Sequence, residues 1–438
     1  MRRFVPVGLA VGLVAAGAAS ASHESRRARP DPTFGARRGW VTTRVPGADS
    51  LAYGAAVTSG GKIVVAGQAP MSGGASQIVV ARYQRNGRLD RGFGSGGIFE
   101  TSFPQADGPF LATAVAVERS TGRLLIAGGY GQGSMLVLRL TPNGQLDPAF
   151  GQNQSGFVTV PAGGVAQSIA IQRSGEIVVG GSNGDRNGRP MVVARFARNG
   201  TLDRRFGRGG LAQVLFWNAR QAASAGVGGL ATTRHGGVIA SGHLDYIGGN
   251  GPHSTPGHGS AGVFRLSPSG RLVRSFGTGG HVEVAFRSAG QFDQWFPCAM
   301  TVDARGRITV TGDGSTNARN AVLLTTRLSG RGILDRSYGR GGRVVTRGLR
   351  NGEDTTCGAT STAAGSLTVG VGSTLVRLLP DGTPNAGFAR GGIIGIGKPR
   401  QVSLNAVARS GPRRVVVAGA AGNAAPALYV ARFRRPSR

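Results

Sequence analysis

Residues 111–160 carry four short apolar runs separated by polar turns. Residues 112–117 alternate small and apolar side chains, Ala-Thr-Ala-Val-Ala-Val. After a turn at Ser120-Thr121-Gly122 comes Leu124-Leu-Ile-Ala-Gly, then Met135-Leu-Val-Leu-Arg-Leu, then Phe157-Val-Thr-Val. Runs of this length bounded by Gly, Asn and Ser predict four β-strands. The turn Asn143-Gly144 between the third and fourth runs predicts a tight hairpin, because both central residues tolerate positive φ. The same dipeptide stands at Asn86-Gly87 and Asn199-Gly200, with Asp381-Gly382 as its relative.

The unit is copied along the chain. A short motif, Leu-Asp-x-x-Phe-Gly, closes the turn at Leu89, Leu146 and Leu202, and drifted copies begin at Leu272, Leu334 and Pro384. Its aromatic positions are 34, 93, 150, 206, 276, 338 and 388, so successive spacings are 59, 57, 56, 70, 62 and 50 residues. A recurring unit of this size predicts a propeller, solenoid or array, and four antiparallel strands per unit select a β-propeller blade. The small-residue strand suits the crowded position next to the axis, and the strand after Phe-Gly suits the rim. Residues 31–45 then form an outer strand without inner partners, and residues 403–433 supply three inner strands without an outer one. Joining the two ends closes the ring and removes its exposed edge. The expected fold is all-β: a single seven-bladed propeller of four-stranded blades over residues 31–438, the last blade shared between the N- and C-terminal strands. Within each unit Phe fills the space between blades, Gly permits the turn and Asp caps it.

The stretch at 61–94, Gly-Lys-Ile-Val-Val-Ala-Gly through Val-Val-Ala-Arg-Tyr-Gln-Arg-Asn-Gly-Arg-Leu-Asp-Arg-Gly-Phe-Gly, resembles the delta-60 repeat, a bacterial β-propeller repeat. It is more distantly similar to the NHL repeat. Copies at 61–94, 122–151 and 175–207 are close; later ones have drifted, with Val273 and Asn385 in place of the Asp. The resemblance covers nearly all of the chain beyond its N-terminus. It implies a propeller that is exported or surface-associated, without a general catalytic function, and it transfers no site residues.

The N-terminus departs from the repeat. Arg2-Arg3 precede an almost wholly apolar stretch, residues 4–18, and Ala19-Ser20-Ala21 follow. This is the pattern of a secretory signal peptide. Residues 1–21 are therefore expected to be removed, and 22–30 to be a polar leader. A retained anchor is the other reading, but the stretch is short for a span and rich in Gly and Ala.

Composition sharpens the electrostatics. There are 49 arginines and 2 lysines against 20 acidic residues, a net charge of +31. Codon bias accounts for such a skew as well as selection does, and the arginines are dispersed rather than stacked. Either way the surface should attract polyanions. An acidic cell-wall polymer, a glycan or a surface protein are the expected partners. Sequence-specific nucleic-acid binding is not expected, because no recognition element is present.

Candidate chemistry is sparse. Five of six histidines lie between 235 and 281, and the longest unit carries its surplus at 246–260, between its second and third strands. In a propeller that connection shares an end with the links between blades. Trp217, His243, Asp245, His253, His258, Asp293 and Trp295 are therefore the candidate ligand-binding residues. Their spacing matches no metal motif, and neither metal nor cofactor is expected. Cys298 and Cys357 precede Ile308 and Leu367, equivalent strand starts, by ten residues each, which makes them a candidate disulfide in an oxidising compartment. Separate buried thiols are the alternative. No carboxylate pair, nucleophile elbow or phosphate loop can be nominated. The leading expectation is an exported, monomeric, non-enzymatic binding or scaffold module. An extracytoplasmic polysaccharide lyase or hydrolase working on the blade 4–5 face is the alternative.

Overall fold

A computed structural model describes residues 27–45, 49–71, 76–102, 110–131, 133–160, 164–182, 190–216, 222–246, 260–286, 294–315, 321–349, 357–397, 399, 401–422 and 425–434. Seven antiparallel sheets form the blades of a propeller. Blades one to six span 51–101, 111–160, 166–214, 222–284, 294–346 and 357–395, four strands each. Blade seven takes Val402–Arg409, Arg414–Ala421 and Ala427–Arg434 from the C-terminus. Trp40–Thr43 pairs along the last of these, Thr42 opposite Tyr429, and closes the ring. A further strand, Arg29–Pro30, pairs with Arg434 and Phe433. The propeller thus begins inside the stretch read as a leader, and Ala28 is already buried beside Phe388.

Second and third strands are buried throughout, as in Leu124–Tyr130 and Met191–Phe196, because each is covered on both faces by neighbouring blades. This explains why the sequence shows continuous apolar runs there rather than alternation. In six blades the innermost strand carries a β-bulge, as between Ala112 and Ala114. Opposite it in blade two, a Cβ on Gly128 would fall 1.6 Å from the Leu111 carbonyl oxygen, so the Ala-Gly that ends the second strand is a steric necessity.

One interaction recurs at nearly every interface between blades. The third strand of each blade presents an arginine: 82, 139, 195, 265, 327, 377 and 432. In blade two the Arg139 Nε donates to Asp147 Oδ2 at 2.8 Å, and its guanidinium lies 4.7 Å from the Phe150 ring centroid. Its Nη1 donates to the Arg198 carbonyl of blade three at 2.5 Å. Asp147 Oδ1 meanwhile accepts from the Ala149 amide, capping the turn as expected. Arg82, Arg195, Arg327 and Arg432 repeat the arrangement with Asp90, Asp203, Asp335 and Asp31. Their Nη1 atoms reach carbonyls of the next blade, at Pro142, Pro268, Pro380 and Arg85. Beside each of these bonds the amide after the motif aromatic donates to the next blade's turn, as Gly94 does to the Asn143 carbonyl at 2.8 Å. The motif Asp is thus both a turn cap and the anion of an interblade rivet.

Where the motif has drifted, the rivet is thinner. Blade four has Val273 in place of the Asp, and Arg265 keeps its bond to the Gly330 carbonyl at 3.2 Å. Blade six has Asn385, and Arg377 donates to Thr368 of its own blade. The interface from blade six to blade seven falls where the chain begins and ends. There the Ala28 amide donates to the Phe388 carbonyl at 2.7 Å, standing in for the turn that other blades supply. Between blades five and six a disulfide joins Cys298 to Cys357, with Cα atoms 5.5 Å apart.

Two predictions follow from these interfaces. Removing one partner of a buried ion pair typically costs about 3–5 kcal/mol. Arg139→Ala should lower stability by that order, and Arg265→Ala by clearly less, in guanidinium unfolding of the two variants. Truncation to a chain starting at Asp31 should lower the melting temperature, whereas truncation to Arg27 should not. Equal melting temperatures for the two truncations would remove the role given to Ala28.

Candidate functional site

Each blade sends its first-to-second-strand hairpin and its third-to-fourth-strand turn to the same end of the propeller. The hairpins lie innermost and encircle the axis. Their tips differ in charge from blade to blade. Blade one has Thr58-Ser-Gly-Gly-Lys62, blade two Glu118-Arg-Ser-Thr-Gly-Arg123, and blade seven Arg409-Ser-Gly-Pro-Arg-Arg414. Blade three ends on Glu176, blade five pairs Arg307 with Asp303 at 2.6 Å, and the blade six hairpin, 362–366, carries no charge.

The last residue of the hairpin decides the local charge. In blades one, two and seven it is a cation that reaches the rivet aspartate as a second partner. Lys62 lies 2.7 Å from Asp90, Arg123 2.7 Å from Asp147, and Arg414 2.8 Å from Asp31. Each of these carboxylates faces two cations; in blade two Glu118 also lies 3.8 Å from Arg139, so a positive charge is left over at the rivets of blades one and seven. Burial opposes ionisation of the three carboxyls, but their hydrogen bonds and the adjoining cations outweigh it. Thr33 bonds and the Arg432 charge do so at Asp31, Lys62 and Arg82 at Asp90, and the Ala149 amide with Arg139 and Arg123 at Asp147. All three are held below the ordinary carboxylate value.

Two clefts open between these hairpins. One, of about 570 Å³, lies between blades two and three and is lined by Arg119, Arg123, Arg139, Arg173 and Arg198, with Glu118 as its acid. The other, of about 360 Å³, lies across blades seven, one and two and is lined by Arg85, Arg119, Arg409, Arg414 and Arg432 without a carboxylate. Arg119 lines both. The remaining lining is Ser, Thr, Gln, Gly, Val and Ile, with no aromatic ring. Arg119, Arg173 and Arg409 are exposed and take part in no ion pair among the described residues. Such a surface can bind anions, chiefly by bidentate guanidinium contacts.

Of the residues singled out in the sequence, the described ones lie on strand segments toward the opposite end. Trp217, His253, His258 and Asp293 lie outside the described residues. Asp245 falls on the second strand of blade four opposite Ser224, and its side chain lies outside the described set. His243, on the same strand, is half-buried and packs near Gly226 and Gln167. Trp295 is a core residue: it is 2% exposed and meets Phe286 edge-on at 4.7 Å. A tryptophan so covered supports the blade four–five interface rather than offering a ring to a ligand. Among the described residues no group of three His, Cys, Asp or Glu side chains is placed to hold a metal ion. The arginine clefts were not foreseen. Their signal in the sequence was the cation at the start of the second strand, Lys62, Arg123 and Arg414, a position where the other blades vary.

Residues 59–93, 119–150 and 172–206 match the family model of a β-propeller domain of unknown function, DUF5122. Those three stretches lie in blades one, two and three. No curated protein matches it by sequence. Among solved structures, the chain is similar to virginiamycin B lyase from Staphylococcus aureus, at 12% identity over 90% of this chain and 98% of that one, with a TM-score of 0.44. The polysaccharide lyase Uly1 is similar at 11% identity over 88% and 90% of the two chains, with a TM-score of 0.48. The Nup133 β-propeller of Vanderwaltozyma polyspora stands at 10% identity over 90% and 100%, with a TM-score of 0.43. Likenesses of this degree carry no argument about what this chain does.

The electrostatics of these rivets set a pH dependence. A carboxyl whose folded pKa is depressed stabilises the fold above its unfolded value, about 4 for Asp, and that stability is lost as pH falls through the folded value. Melting temperature should therefore hold steady through the neutral range and drop below about pH 4. A melting temperature unchanged at about pH 3 would contradict the paired state assigned to Asp31, Asp90 and Asp147.

Proposed function

We propose that this protein is an exported binding module that holds an anionic polymer at the cell envelope or outside the cell, and that it is not an enzyme. The observation that carries this reading is the surplus of arginine at the hairpin end. There the cations exceed what the rivets consume, and the clefts between them present guanidinium groups and hydroxyls. A basic cleft with low-dielectric walls concentrates anions and raises their rate of capture. The secretory pattern of residues 1–21 supports an extracytoplasmic address, and the Cys298–Cys357 bond is consistent with an oxidising compartment.

The test is direct binding of the mature chain to acidic glycans, wall polymers and neutral glycans across a salt series. Micromolar or tighter binding to an acidic polymer that persists at about 0.15 M salt, where the screening length is about 8 Å, is the expected result. Weak binding to every polyanion that vanishes at that salt would overturn the reading. Sequencing the N-terminus of the exported protein should in turn begin at Ser22.

A further inference from the structure

The hairpin end is not uniformly basic, and its asymmetry specifies more than a general affinity for anions. Resting on the reading above, we infer that the hairpins of blades seven, one, two and three form one continuous arc that takes successive carboxylates of a linear acidic polysaccharide. Arg119 is its midpoint.

Three observations carry the arc. First, the hairpin cations that reach a rivet aspartate are grouped. Blades seven, one and two each hold a rivet aspartate between two cations, at Asp31, Asp90 and Asp147. In blade three Glu176 occupies the place of the second cation, and in blade five Asp303 answers Arg307. Blade six adds nothing, since its hairpin is uncharged. Blade four carries exposed Arg234 on its hairpin but has no rivet aspartate, so hairpin cations anchored to a rivet stand side by side in blades seven, one and two. Second, the two clefts meet. Arg119 lines both the blade two–three cleft and the blade seven–one–two cleft, so a bound chain can pass from one to the other without leaving the protein. The short blade one hairpin, with Ser59, Gly60 and Gly61 at its tip, leaves the path low at that point. Third, the cations along the path are of two kinds. Arg123, Arg414 and Lys62 are anchored to aspartates and so are held in place. Arg119, Arg173 and Arg409 are exposed and engaged in no ion pair among the described residues. The anchored cations fix the field, and the free ones are available to close on a ligand.

The lining also selects the ligand. With no aromatic ring in either cleft, nothing stacks a nucleobase, and single-stranded nucleic acid is disfavoured. Thr58, Ser59, Ser120, Thr121 and Ser410 offer hydroxyls between the guanidinium groups. Alternation of guanidinium and hydroxyl suits a chain that alternates carboxylate and hydroxyl, as a polyuronate does. A single sugar acid would engage one arginine at a time and bind weakly, whereas a chain gains effective concentration with each added contact.

The experiment measures binding of polygalacturonate to the mature wild-type protein, to Arg119→Ala with Arg409→Ala, and to Arg305→Ala. Arg305 is an exposed arginine on the blade five hairpin at the same end, outside the arc. Arg119 and Arg409 are surface side chains, so the double variant should keep the wild-type melting temperature. Expected are at least a tenfold loss of affinity and a shallower salt dependence for the double variant, and less than a twofold change for Arg305→Ala. Galacturonate monomer should bind at least a hundredfold more weakly than the polymer. Equal losses in the double variant and in Arg305→Ala would overturn the arc while leaving the general reading intact. So would monomer binding as tight as polymer, or inorganic polyphosphate binding more tightly than polygalacturonate. If the wild-type protein binds no polyanion at all, the broader proposal itself fails.

Discussion

The structure depends on a buried guanidinium. In five blades the third strand turns an arginine inward against the motif aromatic, and the motif aspartate neutralises it. Alone, that charge would be costly to bury. Paired with Asp147, covering the Phe150 ring and donating to the next blade's carbonyl, Arg139 becomes the joint between blades two and three. The same joint explains why Leu, Asp, Phe and Gly recur together. Phe builds the platform, Asp supplies the anion and caps the turn, and Gly at positive φ lets the chain turn back into its own fourth strand, a Cβ on Gly94 falling 2.1 Å from the Ile98 carbonyl oxygen. A Cβ on Gly144 would fall 2.6 Å from the Phe93 ring, so the tight turn of one blade is shaped by the aromatic of the one before it.

A ring made this way has to solve one problem at its ends. A blade interface that spans the chain termini has no intact third-to-fourth-strand turn to contribute. Here the N-terminal segment supplies both the outer strand of blade seven and, through Ala28, the contact that covers Phe388. Asp31 then neutralises Arg432, residues 401 apart in sequence, so the joint that closes the ring is chemically the same as those that build it. The disulfide sits one interface away, beside blade six, whose own rivet has lost its aspartate to Asn385. A cross-link closing 59 residues is worth about 4 kcal/mol in loop entropy. It reinforces the sector where the repeat is weakest.

Much of this was legible in the sequence, because the repeat is long and its hydrophobic pattern is strict. The four strands of residues 111–160, the blade count and the shared seventh blade all follow from spacing. The rivet did not. Arg139 reads as one more polar residue in an apolar run, and only its burial shows that it faces inward. The start of the fold was placed two residues late because Arg29-Pro30 is too short and too basic to read as a strand. The site was harder still. Histidines in a long insertion draw attention by composition, whereas Arg119, Arg173 and Arg409 are three among 49 arginines. What distinguishes them is that they line the two clefts, a property of the folded ring and not of any local stretch.

The central claim is that the hairpin end of blades seven, one and two is where this protein meets its ligand. Hydrogen exchange of the mature chain with and without polygalacturonate tests it without any substitution. Slowed exchange at the hairpins of residues 58–62, 118–123 and 409–414, with residues 362–366 unchanged, is the predicted result. Slowed exchange confined to the connections around His243 and Trp295 at the opposite end would contradict it.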